Sequence, residues 1–341
     1  MHRYSLFGGC LHSALEIPGL PVSASPDETW SLGVAAPGTA GPCGPLLGQE
    51  EVDPGSTVRL HQQPDGLRLS YDDTGCFDIR AGGREIVWYP APGAPEELAR
   101  LDIIGRVLAA ALHADGILTL HGSAVAIGGS AVTFVAPKTF GKSTLAFALA
   151  SAGATFISDD TLPVELTETP RVRPGIDHVK LWSDSARRFT GGEDSAPDGR
   201  RGKRTFTMQA MEPSARLPLS AVYLLTPARG DAGGPAARRD RLPAVPATLA
   251  LVRHAKLGGL VGGVEAARLL DQAGHVAQSV PVYRLELARD LDRLPDAVAE
   301  IIRWHTGDAG SDGMPQEAPL SAAPSPRASV DSAHARAVGS R

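Results

Sequence analysis

The sequence predicts an α/β fold, in which a small β-rich N-terminal lobe precedes a phosphate-loop domain with a mixed sheet and flanking helices. Three observations predict this fold. A phosphate-loop motif stands between a strand-like run and a helix-like run, two aspartates close the next strand-like run, and a histidine precedes the motif by one hairpin. The predicted domains are residues 1–93 for the lobe, residues 94–305 for the phosphate-loop domain and residues 306–341 for a disordered tail.

The N-terminal lobe is predicted from short apolar runs in residues 4–92, which Gly, Pro and Asp separate in the manner of strands and turns. The clearest hairpin folds residues 77–89 around Gly82 and Gly83, whereas residues 35–55, rich in Gly and Pro, are predicted as a loop. Residues 96–116 have apolar side chains at helical spacing and are predicted as a helix. The lobe either only covers the following sheet or grips a substrate, and the sequence leaves both open.

The phosphate-loop motif has the form GxxxxGK[ST], with alanine in place of the first glycine. An apolar, β-branched run at residues 131–135 precedes it, and a run rich in Ala and Leu follows it and ends at Gly153. The motif therefore has the strand–loop–helix context that it requires, which disfavours a chance match at a helix start. The residues predicted to bind a nucleotide are Ala136, Pro137, Lys138, Thr139, Phe140, Gly141, Lys142, Ser143 and Thr144.

The residue types of the motif suit an anion. Backbone N–H groups at a helix start point at a phosphate, and the helix dipole favours its charge. Gly141 lets the backbone approach closely, Lys142 neutralises phosphate oxygens, and the hydroxyl of Ser143 is a ligand for Mg²⁺. Ala136 restricts the backbone where a positive φ is often needed, but it removes no ligand.

Two aspartates, Asp159 and Asp160, end the strand predicted at residues 154–158. In a β–α–β unit the two strands are parallel, so their carboxyl ends lie at the same edge of the sheet. An isolated pair of this kind is more often a solvated turn. Here the placement beside the phosphate loop indicates one metal ligand and one general base.

His121 is predicted to lie at the start of the loop. Residues 117–127 and 130–135 form a predicted hairpin around Gly128 and Gly129. If Ile127 faces Ser130 in this hairpin, His121 lies opposite Ala136. A lone histidine near a strand is more often structural, but this position favours a role in the site.

The second half of the chain alternates between strand-like and helical patterns. Strands are predicted at residues 163–166, 180–182, 219–226 and 282–287, and helices at 184–189, 247–277 (with a break near Gly258 or Gly262) and 295–305. Residues 227–246 are predicted as an exposed loop. The polar residues 191–202 lead into Lys203 and Arg204, and a mobile basic loop here would close over a phosphoryl group. Arg173 and Lys180 are further candidates for this electrostatic role. The alternative is that these basic residues form a solvated surface.

Together, His121, the phosphate loop and Asp159-Asp160 resemble the pattern of the HPr kinase/phosphorylase superfamily. The chain resembles more closely the HPr-kinase-related serine kinases of peptide-tailoring clusters of the lasso-peptide type, and the resemblance covers most of residues 4–305. It implies an HPr-kinase-like phosphate-loop domain that uses ATP and Mg²⁺ to phosphorylate a hydroxyl. The implied acceptor and partner is a serine of a ribosomal peptide precursor.

The resemblance and the residue types together assign roles. Lys142 and the loop amides would bind phosphate, Ser143 and Asp160 would hold Mg²⁺, and Asp159 would accept the hydroxyl proton, with His121 orienting that acid or the phosphate. Positioning and charge neutralisation dominate such reactions. Two alternatives stay open: a nucleotide-binding regulatory module without turnover, which the alanine at position 136 leaves possible, and a kinase of a small molecule such as free serine or a sugar.

The composition of the chain indicates which classes of binding partner and which cellular compartment to expect. The net charge of −5, from 33 basic and 38 acidic residues, gives no reason to expect nucleic acid or a membrane as a partner. Cys10, Cys43 and Cys76 lack metal-ligand spacing and are typical of a reducing compartment. No apolar run approaches the roughly 20 residues that span a bilayer. The sequence therefore predicts a cytoplasmic protein and leaves a homo-oligomer open.

Overall fold

The N-terminal residues form one eight-stranded sheet in the structure, a computed structural model that describes residues 1–53, 55–190, 203–209, 211–227, 234–288 and 290–306. Its strands lie in the order β1-β2-β3-β8-β7-β6-β5-β4. They are β1 (His2–Leu6), β2 (Gly9–Ser13), β3 (Trp30–Val34), β4 (Leu46–Asp53), β5 (Ser56–Gln63), β6 (Gly66–Tyr71), β7 (Gly75–Arg80) and β8 (Glu85–Pro90). Alternate side chains along these strands, such as Val58 and Leu60, enter one core.

Sequence patterns predicted one hairpin of this sheet correctly and missed one of its edge strands. The hairpin around Gly82 and Gly83 is confirmed, with Arg80 opposite Glu85. The prediction of a loop over residues 35–55 is wrong, because β4 occupies part of it. β4 pairs with β5 alone, at the edge of the sheet, and such a strand tolerates the polar residues that hid it from the sequence pattern.

A helical segment covers the N-terminal sheet. It runs through α1 (Glu96–Asp102), a π-helical turn (Ile103–Val107) and α2 (Leu108–Ala114), as the pattern at residues 96–116 predicted. Its buried residues, including Ile103, Val107 and Leu108, join the core of the sheet. The N-terminal sheet is therefore closed on this side by the same segment that leads into the rest of the chain.

Within the described residues, the second sheet has nine strands. They are β9 (Leu118–Leu120), β10 (Gly122–Ile127), β11 (Ser130–Val135), β12 (Thr155–Asp159), β13 (Leu162–Glu165), β14 (Arg171–Val172), β17 (Leu217–Pro227), β18 (Ala237–Arg241) and β19 (Val282–Leu287). The long strand β17 pairs in parallel with β11 on one side and with β19 on the other. A separate hairpin contains β15 (His178–Trp182) and β16 (Lys203–Thr207).

Helices cover both faces of this sheet. They are α3 (Lys142–Ser151), α4 (Ser183–Thr190), α5 (Ala244–Arg253), α6 (Gly263–Ser279) and α7 (Leu294–Thr306). Residues of α3 and α7, such as Leu149 and Ile301, pack on one face, and residues of α5 and α6, such as Leu251 and Leu269, pack on the other. The prediction of an α/β fold with a mixed sheet and flanking helices is confirmed at this level.

One prediction in the second half is wrong and another is confirmed. The prediction of an exposed loop over residues 227–246 is wrong, because β18 and the start of α5 lie within it; β18 is an edge strand rich in Arg, again without an alternating pattern. The helical prediction at residues 247–277 is confirmed, and so is its break, which is a turn over residues 254–262 between α5 and α6.

Some predictions concern residues outside those that the structure describes. These are the basic loop at residues 191–202 and the tail from residue 307 onward. Contacts join Met1–Thr306 into one unit, and the boundary predicted between residues 93 and 94 stays a prediction. No helix among the described residues has both the length and the apolar character needed to cross a membrane.

Candidate active site

The phosphate loop connects the end of β11 to the start of α3. Its backbone turns through positive φ angles at Thr139 (71°) and Gly141 (83°), and glycine adopts the second of these without a steric penalty. Ala136 does not lie in that region; it is fully buried in the apolar core between the sheet and α3. Alanine at the position of the first glycine therefore causes no backbone strain here.

The start of α3 offers an anion site. No side chain caps the helix at Gly141, and its first turn contains no acidic residue. The N–H groups in the first turn of an α-helix have no acceptor within the helix itself. The Nζ atom of Lys142 donates to the carbonyl oxygens of Ala136 (2.8 Å) and Pro137 (3.1 Å). Its ammonium group thus lies inside the loop. A positive side chain and helix-start amides are the groups that bind phosphate.

The remaining predicted loop residues lie at the surface. Pro137, Lys138, Thr139 and Phe140 are exposed, with the Phe140 side chain 41% accessible. The hydroxyl of Thr144 lies 3.3 Å from the hydroxyl of Ser185 in α4. The exposed side of the loop is therefore open to a ligand, while its Ala136 end is fixed in the core.

β10 lies between the two strands that end at the site. The predicted hairpin is confirmed in register: Ile127 faces Ser130 and Gly122 faces Val135, so His121 stands at the start of the loop. β10 also pairs antiparallel with β12, with Ser123 opposite Asp159. Consequently β11 and β12 run in the same direction, and the expectation that both strands end at one edge is confirmed.

Asp159 lies against the phosphate loop. Its Oδ1 atom accepts hydrogen bonds from the hydroxyls of Ser123 (2.5 Å) and Ser143 (2.9 Å), and the backbone N–H of Lys180 donates to the same carboxyl group. Burial raises the pKa of Asp159 and the nearby carboxylate of Asp160 adds to the rise, while the hydroxyl hydrogen bonds oppose it. This carboxyl group is held rigidly beside the hydroxyl that the sequence assigns to Mg²⁺.

Asp160 faces the other way. Its Oδ1 atom lies 3.1 Å from Nδ1 of His121, and its Oδ2 atom accepts a hydrogen bond from Nζ of Lys256. Although the side chain of Asp160 is half-exposed, partial desolvation by itself would raise its pKa, but the charges and hydrogen bonds of Lys256 and His121 hold that pKa well below its usual range. Asp160 is therefore an ionised carboxylate with one cationic or polar partner on each oxygen.

Sequence reasoning missed three residues of this site. Ser123 lies two residues after His121 and could have been predicted from the sequence, because alternate residues of a strand share a face. His254 and Lys256 come from the turn after α5, and the backbone N–H of His121 donates to the carbonyl of His254 (2.7 Å). Burial lowers the pKa of His254 to about 4, and the positive charge of Lys142 adds to the fall. Nothing in the sequence pattern linked this turn to the site.

The basic residues predicted to close over a phosphoryl group have different surroundings. Arg204 is buried opposite Leu181 in the β15–β16 hairpin, which packs on α3 through Phe206 and Phe147. The side chain of Lys203 lies outside the described part of the chain. Arg173 donates to Glu165 (2.6 Å), and the side chain of Lys180 is exposed. Their predicted electrostatic roles stay predictions.

The donor set fits a magnesium ion that shares its coordination with a nucleotide. Mg²⁺ usually takes one or two carboxylates together with phosphate oxygens and waters. The hydroxyl of Ser143 and the carboxylate of Asp159, 2.9 Å apart, supply such a partial set. No group of three or more His, Cys, Asp or Glu side chains suited to a metal ion occurs in the described residues, so the metal would depend on the nucleotide.

Comparisons with known proteins found likenesses among solved structures alone. No protein-family model matches the chain, and no curated protein matches it. Among solved structures it is similar to the HPr(Ser) kinase/phosphatase of Coxiella burnetii, at 12% identity over 55% of this chain and 95% of that chain, with a TM-score of 0.29. A likeness this distant leaves the activity to be argued from the residues of the chain itself.

Proposed function

We propose that this protein is an ATP- and Mg²⁺-dependent kinase of the HPr-kinase-like kind, acting on a hydroxyl group. The observation that supports it most is the contact of Ser143 with Asp159 at the start of α3. It brings a phosphate-loop hydroxyl and a strand-end carboxylate together, the pair that holds Mg²⁺ in phosphate-loop enzymes. The elements resemble those of the HPr kinase/phosphorylase superfamily in kind and in order.

The geometry favours roles for the two aspartates that differ from the assignment made from the sequence. Asp159 contacts Ser143 and would share the metal with it, while Asp160 contacts His121 and would receive the acceptor hydroxyl. The sequence assigned the base to Asp159 and the metal to Asp160. A bound Mg²⁺ supplies charge that offsets the phosphate oxygens, and Asp159 must lose its proton to contribute a ligand.

Different residues of the chain then have different roles in phosphoryl transfer. Lys142 and the first amides of α3 bind the phosphates, and Asp160 orients the hydroxyl and accepts its proton. The acceptor oxygen forms a bond to the γ-phosphorus, the bond from that phosphorus to the bridging oxygen breaks, and ADP leaves. In protein kinases an aspartate carboxylate accepts the proton of the substrate hydroxyl, and the ionised Asp160 is suited to the same part.

The acceptor that we propose is a serine in a ribosomal peptide precursor, as in the lasso-peptide type of tailoring kinase. The resemblance of the motifs supports this choice, and so does a half-exposed Asp160, whose side chain is 56% accessible and so open to a bulky substrate. The proposal places the enzyme in the cytoplasm, where ATP is available and its three free cysteines stay reduced.

The test is transfer of labelled γ-phosphate from ATP with Mg²⁺ to a serine peptide, free serine and a sugar, with products identified by mass. Phosphorylation of the peptide alone supports the full proposal. Phosphorylation of free serine or the sugar alone would show a small-molecule kinase. Binding of ATP without transfer to any acceptor would show a regulatory module. The variant Lys142→Ala controls for contaminating kinases, because its preparation should be inactive.

A further inference from the structure

The turn between α5 and α6 brings a lysine onto the acidic pair. Nζ of Lys256 donates to Oδ2 of Asp160 and lies 3.3 Å from the backbone carbonyl oxygen of the same residue. The side chain of Lys256 is 8% accessible, so its long stem is fixed by its surroundings. A flexible surface ion pair contributes little to structure, whereas this lysine is enclosed and contacts its partner at two oxygens.

The backbone of the turn is joined to the strand that leads to His121. The N–H of Lys256 donates to the carbonyl of Thr119 (2.8 Å), and the N–H of His121 donates to the carbonyl of His254 (2.7 Å). These two hydrogen bonds flank an isolated bridge between Leu120 and Ala255. Backbone hydrogen bonds therefore join the turn of Lys256 to the segment of His121, and each of the two side chains contacts a different oxygen of the Asp160 carboxylate.

The N-terminal sheet fixes the other end of this turn. Leu257, the residue after Lys256, and Leu260, three residues further on, are buried in the core of that sheet. The backbones meet so closely that a Cβ atom on Gly48 of β4 would lie 2.4 Å from the carbonyl oxygen of Leu260. The turn is therefore clamped between the N-terminal sheet and the strand that precedes His121.

We infer that Lys256 is a positioning residue, which holds the carboxylate of Asp160 in the orientation that receives the acceptor hydroxyl, and that the N-terminal sheet fixes this lysine. The inference rests on the proposed kinase activity and gives the N-terminal sheet a part in it beyond covering the core. Lys256 acts through Asp160. Its loss should therefore reduce the rate of transfer and leave nucleotide binding unchanged.

The test compares Lys256→Met, Lys256→Arg and Arg253→Met in the full chain. Loss of a residue that orients a functional ligand typically costs about 10–100-fold, so Lys256→Met should lower kcat by that factor with the KM for ATP unchanged. Lys256→Arg should recover most of the rate, because it restores the charge. Arg253 lies at the exposed end of the same helix, and Arg253→Met should keep the wild-type rate as a control for net charge.

A spectroscopic readout separates this inference from the kinase proposal. The ¹⁵N chemical shift of Nδ1 in His121 reports its contact with Asp160, and it should change in Lys256→Met and stay near the wild-type value in Lys256→Arg and Arg253→Met. Wild-type kcat or an unchanged His121 signal in Lys256→Met would overturn the inference. If the wild type transfers no phosphate, the kinase proposal fails and the His121 signal alone decides about Lys256. If Lys256→Met does not fold, Lys256→Gln takes its place with the same criteria.

Discussion

The two aspartates can be told apart by replacing each with asparagine, which preserves shape and removes charge and basicity. Asp160→Asn removes the carboxylate that faces His121 and Lys256. General-base assistance is worth about 10²–10⁴-fold in rate, so kcat should fall by that factor while the affinity for ATP with Mg²⁺ changes little. The amide oxygen can still accept from Lys256, but the enclosed ammonium group of Lys256 loses its charged partner, so the melting temperature should fall.

Asp159→Asn should give the opposite pattern. The variant keeps an oxygen for the hydroxyls of Ser123 and Ser143 but loses the charge offered to the metal. A contact with a charged group is worth about 1.5–3 kcal/mol, which corresponds to a loss of nucleotide affinity of about 10–150-fold in the presence of Mg²⁺. Without Mg²⁺, the two variants should bind ATP alike.

The assays are calorimetric titration with ATP, with and without Mg²⁺, and single-turnover transfer to the acceptor at saturating nucleotide. The assignment argued from the contacts is refuted if Asp159→Asn keeps full affinity and loses the rate while Asp160→Asn loses affinity. That outcome would support the roles that the sequence alone indicated, with Asp159 as the base and Asp160 on the metal.

Three further predictions concern stability and shape. Burial holds the pKa of His254 at about 4, below 6.5 in the unfolded chain. The neutral, buried side chain therefore costs no stability above pH 6.5, and the free energy of unfolding decreases as the pH falls toward 4, because the unfolded chain binds a proton at His254 first. This amounts to about 2 kcal/mol by pH 5, and urea unfolding at pH 7 and pH 5 should show a smaller difference in His254→Gln than in the wild type. In Gly175→Ala the new Cβ would lie 1.9 Å from Oγ of the buried Ser158, next to Asp159, so the variant should lose about 1–3 kcal/mol of stability and bind ATP more weakly. The control Gly105→Ala, whose new Cβ would meet no atom within 4 Å, should show neither effect. Equal effects of the two substitutions would contradict the packing argument. Because residues after Thr306 show no apolar pattern, truncation there should leave the melting temperature and ATP affinity unchanged, and a marked loss of either would show that the tail packs.

Local patterns predicted the parts of the site that are close together in the chain. The Gly128-Gly129 turn fixes the register of its hairpin and so the place of His121, and the strand–loop–helix order brings Asp159 to the loop. A pair of strands with a helix between them has few possible arrangements, so the shared edge followed from the order of elements alone.

Contacts between distant segments could not be predicted in this way. Lys256 reaches Asp160 from a turn whose position depends on the packing of Leu257 and Leu260 into the N-terminal sheet, and no local pattern encodes that packing. The roles of the two aspartates depend on which carboxylate faces Ser143, which the positive φ of Asp160 (72°) helps to decide. The edge strands β4 and β18 were missed because one-sided pairing does not require alternating apolar residues.

Every role proposed for this site requires that the loop before α3 bind the phosphates of a nucleotide through Lys142. Calorimetric titration with ATP and Mg²⁺ tests it most directly, with Arg303→Ala, a surface variant on α7, as the control for a lost positive charge. We expect saturable binding by the wild type and by Arg303→Ala, and none by Lys142→Ala. Equal affinity in the wild type and Lys142→Ala would contradict the claim.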